Sequence, residues 1–136
     1  MLELEPILVQ RLAALPAFTG WRVSGGSDAT DRRKVPGADV RMSGAAGGAE
    51  RRTVAQLQPA WAVGLVVQRG DTAAGQLGAA LRAVIGALHN WCPGAVAGMQ
   101  WTPLQFATVR EAAFSDSGLV GFEIAFTTTT LVDGQN

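Results

Sequence analysis

Apolar residues near the start of the chain recur at the spacing of an α-helix. Four leucines lie three or four positions apart and therefore share one helical face: Leu4, Leu8, Leu12 and Leu15. Pro6 suits the first turn, where its missing N–H group costs nothing, and Pro16 marks the end of the helix. The pattern predicts a first helix of about three turns.

A second helical pattern covers residues 71–91. Its large apolar residues form one stripe: Leu77, Leu81, Val84, Leu88 and Trp91. Its small residues form another stripe: Gly75, Ala79, Ala83 and Ala87. We expect Asp71 or Thr72 to cap this helix, and Pro93 with Gly94 to end it. Because small side chains let a neighbouring backbone approach closely, the second stripe predicts a close packing contact.

Elsewhere apolar and polar residues alternate, as they do along half-buried strands. Three stretches have a clear inward face: Ala38, Val40 and Met42; Trp61, Val63, Leu65 and Val67; and Phe122, Ile124 and Phe126. The segment GWRV adds a short strand before them, and residues 99–114 add another that is broken near Pro103. Pro59 cannot donate to a strand ladder, so we expect it at a bulge or on an edge.

The connections between these stretches are rich in turn residues. SDSG predicts a hairpin turn before the last strand, residues 44–50 predict a flexible tip, and residues 131–136 predict a tail that frays. Segregated strands with two helices predict an α+β fold: a mostly antiparallel or mixed sheet of about five to six strands with the two helices packed on it. The 136 residues fit a single domain, residues 1–136.

Composition narrows the function classes. Charged residues make up 16%, below the ~25% typical of soluble domains, which fits a surface partly covered by other subunits. Eleven basic residues balance eleven acidic ones, so no net field draws the chain to nucleic acid or to anionic membranes. A single cysteine fits a reducing compartment. We expect neither a signal peptide nor a membrane span, because no segment has the required pattern.

The only histidine and the only cysteine, His89 and Cys92, lie at the end of the second helix. A thiolate is disfavoured at a helix C-terminus, where His89 is instead well placed to bond the last carbonyls, so we interpret the pair as a helix end. One His and one Cys do not make a four-ligand zinc site, and we expect neither metal nor cofactor. The signatures GxxxxGK[ST], GxGxxG and GxSxG are missing from the sequence.

The remaining candidates are tryptophans and charged loops. Trp21, Trp61 and Trp91 fall on apolar faces and predict core positions, whereas the pattern leaves Trp101 open. Two polar, glycine-bearing loops carry basic residues that are either solvated or face a partner: Arg32, Arg33, Lys34, Arg51 and Arg52. We predict these five as candidate subunit or tube contacts.

The ordering of these segments resembles a known family. PILVQRLAAL leads to GWRV, VRMSG precedes a glycine-rich tip, QPAWAVGLVVQ leads to a helix ending in ALHNWCPG, and WTPLQF and GLVGFEIAFTTT follow. Over about residues 4–130 this sequence resembles the tail terminator proteins of long-tailed bacteriophages, in particular the Mu-like prophage type. The whole chain would then be a single tail-terminator-like domain.

The resemblance implies a structural virion protein rather than an enzyme. Such proteins form a ring, expected here to have six copies, that caps the finished tail tube, ends its polymerisation and offers a surface to the head connector. The expected partners are therefore the chain itself, the tube protein and the connector or neck protein, while DNA passes through the ring without specific binding. The expected location is the neck end of the virion tail, assembled in the host cytoplasm. Two alternatives stay open: another neck or head-completion protein, and a small enzyme that uses Cys92 and His89.

Overall fold

The fold is organised around one long strand. The computed structural model describes residues 2–27, 35–47, 54–114 and 116–133. Its helices are α1 (Leu4–Ala13) and α2 (Ala73–Leu88), with a 3₁₀ turn at Pro16–Phe18. Its strands are β1 (Arg22–Gly25), β2 (Gly37–Gly47), β3 (Val54–Gln68), β4 (Gly94–Val96), β5 (Met99–Trp101), β6 (Gln105–Glu111), β7 (Leu119–Thr127) and β8 (Thr130–Asp133). The 15 residues of β3 pair with other strands on both sides.

The sheet is mixed. β2 pairs antiparallel with one side of β3, and β1 pairs parallel with β2. Two strands share the other side of β3: β7 pairs with Ala60–Gln68, and β8 pairs with Val54–Leu57. β6 extends the sheet beyond β7, and the β4–β5 hairpin extends it beyond β8. This architecture, with two helices, confirms the predicted α+β class.

The described residues form eight strands, more than the five to six expected. One addition is the β4–β5 hairpin, whose turn residues Ala97 and Gly98 have φ values of 52° and 80°. The other is β8, so the prediction of a fraying tail is wrong for residues 131–133. The prediction of a flexible tip is also wrong for Gly44–Gly47, which pair with Leu57–Ala60. Both errors have one cause: β3 is long enough to provide partners for backbone that has few large side chains of its own.

The helices cover one face of this sheet and bury the apolar stripes that the spacing predicted. From α1 the fully buried residues are Leu4, Leu8 and Leu12, and from α2 the most buried large ones are Leu77, Val84 and Leu88. The sheet contributes Val40, Trp61, Val63, Leu65, Val67, Ile124 and Phe126. Each such side chain stabilises the fold by roughly 1.5–3 kcal/mol on burial. Trp101, which the pattern left open, joins this core at 4% exposure.

The small stripe of α2 does not make the predicted close contact. Gly75 and Ala79 are exposed and Ala83 is half-buried, so only Ala87 of that stripe is buried. The alanines that meet the core are instead Ala73, Ala80 and Ala87, seven positions apart. The stripe of large residues faces the sheet because burying its leucines removes more apolar area from water than burying the small stripe would.

Pro59 lies where its missing N–H group is tolerated. It is opposite Ala45 of β2, next to a bulge that falls between Met42 and Gly44. On its other side the pairing of β3 changes from β7 to β8. The bulge is in the neighbouring strand, opposite Ala60 and Trp61, and β3 is not an edge strand, so the prediction that Pro59 itself lies at a bulge or on an edge is wrong.

Candidate interaction surfaces

The five predicted contact residues lie outside the described part of the chain: Arg32, Arg33, Lys34, Arg51 and Arg52. The structure does show how the first of their two loops leaves the sheet. The buried carboxylate of Glu5 accepts hydrogen bonds from the backbone N–H of Ser27 at 2.8 Å and from its hydroxyl at 2.7 Å. A side chain at Gly25 would overlap this carboxylate, so a glycine is needed at that position. The loop therefore begins from a fixed point on α1.

A buried ion pair holds β1 and β2 together. Arg22 Nη1 donates to Asp39 Oδ1 at 2.6 Å and to the Ser24 hydroxyl at 2.6 Å, and Ser24 donates to Asp39 Oδ1 at 2.7 Å. The Arg22 side chain is 4% exposed. Removing one partner of such a pair leaves a buried charge uncompensated, so the group fixes the parallel pairing of these two short segments.

A second charged group crosses the face of the sheet that is not covered by the helices. Glu123 of β7 accepts from Arg110 of β6 at 2.7 Å and from Arg41 of β2 at 2.7 Å. Arg41 crosses β3 to make this contact, over Ala62 and Gly64, which leave room for it. Burial raises the pKa of Glu123, but hydrogen bonds and charge from the two arginines lower it more, so the net pKa lies below its usual range.

Sequence reasoning missed this group. Alternation places Arg41 and Glu123 on outward positions of their strands, but it does not say which residues become neighbours. The register of three strands decides that, and 82 positions separate the two residues along the chain. The three side chains carry two positive charges and one negative charge, so they leave one net positive charge on this face.

Two long strand edges have no backbone partner within the described residues. β1 ends at Gly25, and the last bond on its side of β2 runs from Gly26 N–H to Val40 O at 2.7 Å. From Arg41 to Gly47, β2 pairs only with β3 in the part of the chain that the structure describes. The second edge is β6, which pairs there only with β7. Unpaired edges are templates for another strand, so both are candidate interaction surfaces.

Along the β2 edge the side chains do little to block such pairing, whereas the start of the β6 edge is partly occupied, because the Phe106 N–H donates to His89 Nδ1. The β2 edge continues from Arg41 through small, mainly exposed residues: Ser43, Gly44, Ala45, Ala46 and Gly47. The β6 edge exposes almost all of its residues, including 38% of Phe106. Natural sheets commonly protect an edge with lysine, proline or an inward-pointing charge, and Ser43–Gly47 contains none of these.

His89 and Cys92 have separate partners. The Nδ1 atom of His89 accepts a hydrogen bond from the Phe106 backbone N–H at 3.0 Å. The thiol of Cys92 donates to the Trp101 carbonyl at 3.2 Å. The predicted helix end is confirmed, but the expected bond from His89 to helix carbonyls is wrong. The backbone at His89 is already extended, with ψ of 126°, so its side chain points away from the last turn toward β6.

The end of α2 also comes earlier than Pro93 and Gly94 predict. The helix stops at Leu88, and Asn90 takes a left-handed conformation with φ of 63°. Asparagine tolerates left-handed backbone better than most residues, so Asn90 takes the left-handed position after the helix that was expected of Gly94. Its N–H donates to Leu104 O at 2.6 Å, and Leu104 N–H donates to Trp91 O at 2.9 Å. These bonds place the helix end beside the start of β6.

The helical side carries an open apolar groove between α1, the 3₁₀ turn and α2. Its volume is about 760 Å³, and it is lined mainly by small and aliphatic residues. Arg11 lies across it, with its guanidinium 4.4 Å from the centre of the Trp91 ring and its Nε donating to Ala87 O at 2.8 Å. The described residues contain no group of three or more His, Cys, Asp or Glu side chains placed to hold a metal ion. None of their helices is long and apolar enough to cross a membrane.

Comparisons with known proteins add a structural relative. No protein-family model and no curated protein sequence matches the chain. A solved structure described as the virion of a native gene transfer agent particle contains a chain that superposes with a TM-score of 0.65. The two chains share a fold. The similarity covers 93% of this chain and 92% of the other, at 18% sequence identity.

Proposed function

We propose that this chain is a structural protein of a phage-like virion and acts there as the tail terminator. The observation that carries this proposal is the shared fold with a gene transfer agent virion chain over nearly the full length of both. The resemblance of the sequence to tail terminators leads independently to the same class of particle. In this role the protein caps the finished tail tube, stops its polymerisation and offers the head connector a docking surface at the neck end.

The two strand edges that lack a backbone partner within the described residues support a ring built from copies of this chain. In the part of the sheet that contains β7 the strand order is β1, β2, β3, β7, β6, so the β2 and β6 edges face opposite ways. A contact between the β2 edge of one copy and the β6 edge of the next is head-to-tail, and such contacts close into a ring when the rotation allows it. We expect six copies. The equal numbers of acidic and basic residues fit a ring through which DNA passes without binding.

Electron microscopy of the purified protein, alone and mixed with tail tube protein, tests this function. The expected result is six-fold rings that bind tube ends and fix tube length. A protein that stays monomeric and leaves tube growth unchanged contradicts the proposal. Rings that bind the head connector but never the tube would instead support the alternative of another neck or head-completion protein.

The enzyme alternative has its own test. His89 and Cys92 bond to different backbone groups, so we propose that neither is catalytic. Cys92→Ser and His89→Ala should each leave tail assembly intact, with stability losses of about 1 kcal/mol or less. A folded Cys92→Ser variant that yields no virions, together with rapid alkylation of Cys92 at neutral pH, would favour the enzyme instead.

The predicted contact loops allow a sharper test of the assembled state. Reversing Arg32, Arg33 and Lys34 to Glu, or Arg51 and Arg52 to Glu, should leave the monomer folded but impair ring formation or tube capping, because rim charges set encounter and register. Circular dichroism checks the fold, and tail length in a complementation test checks assembly. Arg82→Glu, an exposed position on α2, is the control for a general charge effect. Tails of uniform length from both loop variants would show that the loops are only solvated.

A further inference from the structure

Regular strand pairing is interrupted in adjacent strands at one level of the sheet. β2 has its bulge between Met42 and Gly44, and β3 has Pro59 at the same level. On the far side of β3, Thr128 and Thr129 separate β7 from β8. These interruptions form a line across the sheet, which we call the break line.

Pro59 explains the gap between β7 and β8. These two strands keep one register against β3, since Ala60 pairs with Thr127 and Leu57 pairs with Thr130. At the gap Thr128 N–H donates to Pro59 O at 3.3 Å. In an antiparallel pair of this kind the partner residue returns a bond from its own N–H, and a proline has none to give. One ladder bond is therefore missing in what is otherwise a single strand.

Thr102 bridges the gap from the neighbouring chain segment. Its N–H donates to Thr129 O at 3.0 Å, and its hydroxyl accepts from Thr129 N–H at 3.0 Å. Its carbonyl accepts from the Thr128 hydroxyl at 2.6 Å. Thr102 itself lies between β5 and β6, so the chain also passes from one strand to the next at this level. These bonds attach Thr128 and Thr129 to the segment between β5 and β6, and none of them involves the Thr128 carbonyl that a ladder N–H at position 59 would have met.

The sheet differs on the two sides of the break line. On one side, Trp61 and Phe126 are fully buried beneath the helices. On the other side lies an arm, residues 44–47, 54–58 and 130–133, in which Leu131 is 50% exposed and Gly44–Gly47 are exposed. Its Thr130 is 2% exposed and pairs with Trp101 of β5, so the arm stays attached to the body at that point. The arm is thus joined to a packed body across a line at which regular strand pairing is interrupted.

We propose that the arm bends as a unit about the break line and that Thr102 limits this bending. The inference rests on backbone pairing and side-chain contacts, and it is independent of the proposed ring. Three properties of the line support it. β2 has a bulge, β3 lacks a backbone donor at Pro59, and Thr128 and Thr129 make side-chain hydrogen bonds with Thr102. Bulges and missing ladder bonds are the places at which a strand changes direction most easily. A hinge here moves the exposed β2 edge, with Thr130 and its core partner Trp101 at the pivot.

Spin-label distance measurements on the intact chain test the hinge. In a Cys92→Ser background, one label is placed at Ala13 on α1 and the other at Ala46 on the arm, and both positions are exposed. A control pair joins Ala13 to the exposed Thr108 on β6, so that both labels are on the body. The expected result is a broader distance distribution for the arm pair than for the control pair. Equal widths would overturn the proposal.

Three substitutions then test the parts of the hinge. Thr102→Ala should broaden the arm distribution further, whereas Thr102→Ser keeps the hydroxyl and should not. Pro59→Val restores an N–H opposite Thr128 and should narrow the distribution. None of the three should change the control pair. If none of the three substitutions changes the width of the distance distribution of the arm pair, the proposed roles of Thr102 and Pro59 are wrong.

Amide hydrogen exchange separates bending from unfolding. In Thr102→Ala we expect about fivefold faster exchange at Thr129, because one net hydrogen bond is lost there. Protection in Leu57 and Val132 should be retained, since a bending arm keeps its own pairing. If Leu57 and Val132 lose protection together with Thr129, the arm unfolds instead of bending, and the hinge proposal is wrong.

Discussion

The two ends of β3 have the same backbone geometry but different surroundings. Its C-terminal part, from Trp61 to Gln68, lies between β2 and β7 and beneath the helices, and it alternates large apolar residues toward them. Its N-terminal part, from Val54 to Gln58, pairs with β8 at Val54–Leu57 and with β2 at Leu57 and Gln58, and it contains two glutamines and an alanine. Backbone pairing therefore accounts for the strands of the arm, whereas buried side chains stabilise the body. The division leaves a large strand edge free for contacts between molecules.

The largest expected effect comes from truncating matched leucines on the two parts. Leu65→Ala removes a fully buried side chain and should lower the free energy of unfolding by about 2–5 kcal/mol. Leu131→Ala removes one that is 50% exposed and should cost less than about 1 kcal/mol. Urea unfolding of both variants measures the difference. Similar losses would mean that the arm is covered, for instance by a second copy, and repeating the titration at lower protein concentration would reveal it.

A pair of glycines gives the next effect. A Cβ at Gly121 would overlap the carbonyl oxygen of Leu65, because β7 approaches β3 closely there, so Gly121→Ala should cost roughly 1–3 kcal/mol. At Gly44 a Cβ meets no described atom within 4 Å, and Gly44→Ala should be neutral or slightly stabilising. Thermal unfolding monitored by circular dichroism compares the two. A destabilised Gly44→Ala variant would indicate that the arm is packed more tightly than its exposure implies.

The smallest effect concerns the charged face of the body. The pKa of Glu123 is lowered in the folded protein, so its ion pairs add stability above the ordinary carboxyl pKa of about 4.3, and that stability is lost as the pH falls through the lower, folded value. The arginines are exposed, so Glu123→Gln should cost only about 0.5–1 kcal/mol at pH 7.

Urea unfolding of wild type and Glu123→Gln between pH 7 and about pH 3 measures this contribution. The difference between the two proteins should shrink toward the acid end of the range. A difference that stays constant with pH would show that the substitution acts through packing and not through charge. Addition of salt at pH 7 should also reduce the difference, because exposed charges are screened.

The sequence by itself determined both helices, the inward faces of the main strands and the α+β class. These depend on hydrophobic spacing, and the large residues of each stripe, such as Leu8, Val84 and Trp61, have a strong preference for the core. Spacing also placed His89 and Cys92 at the end of α2, which made a catalytic role for Cys92 unattractive, although Pro93 and Gly94 put that end a few residues later than the structure does.

Only the tertiary structure decided which stripe of α2 faces the sheet. It also decided which segments with few large apolar side chains form strands, and which charged side chains form ion pairs. Gly44–Gly47 and β8 have too little side-chain pattern to predict a strand, and they form one because the long β3 provides backbone partners. The meeting of Arg41 with Glu123 and of Thr102 with Thr129 depends on register between distant segments. Register arises from pairing over the whole sheet, and local propensity carries no information about it.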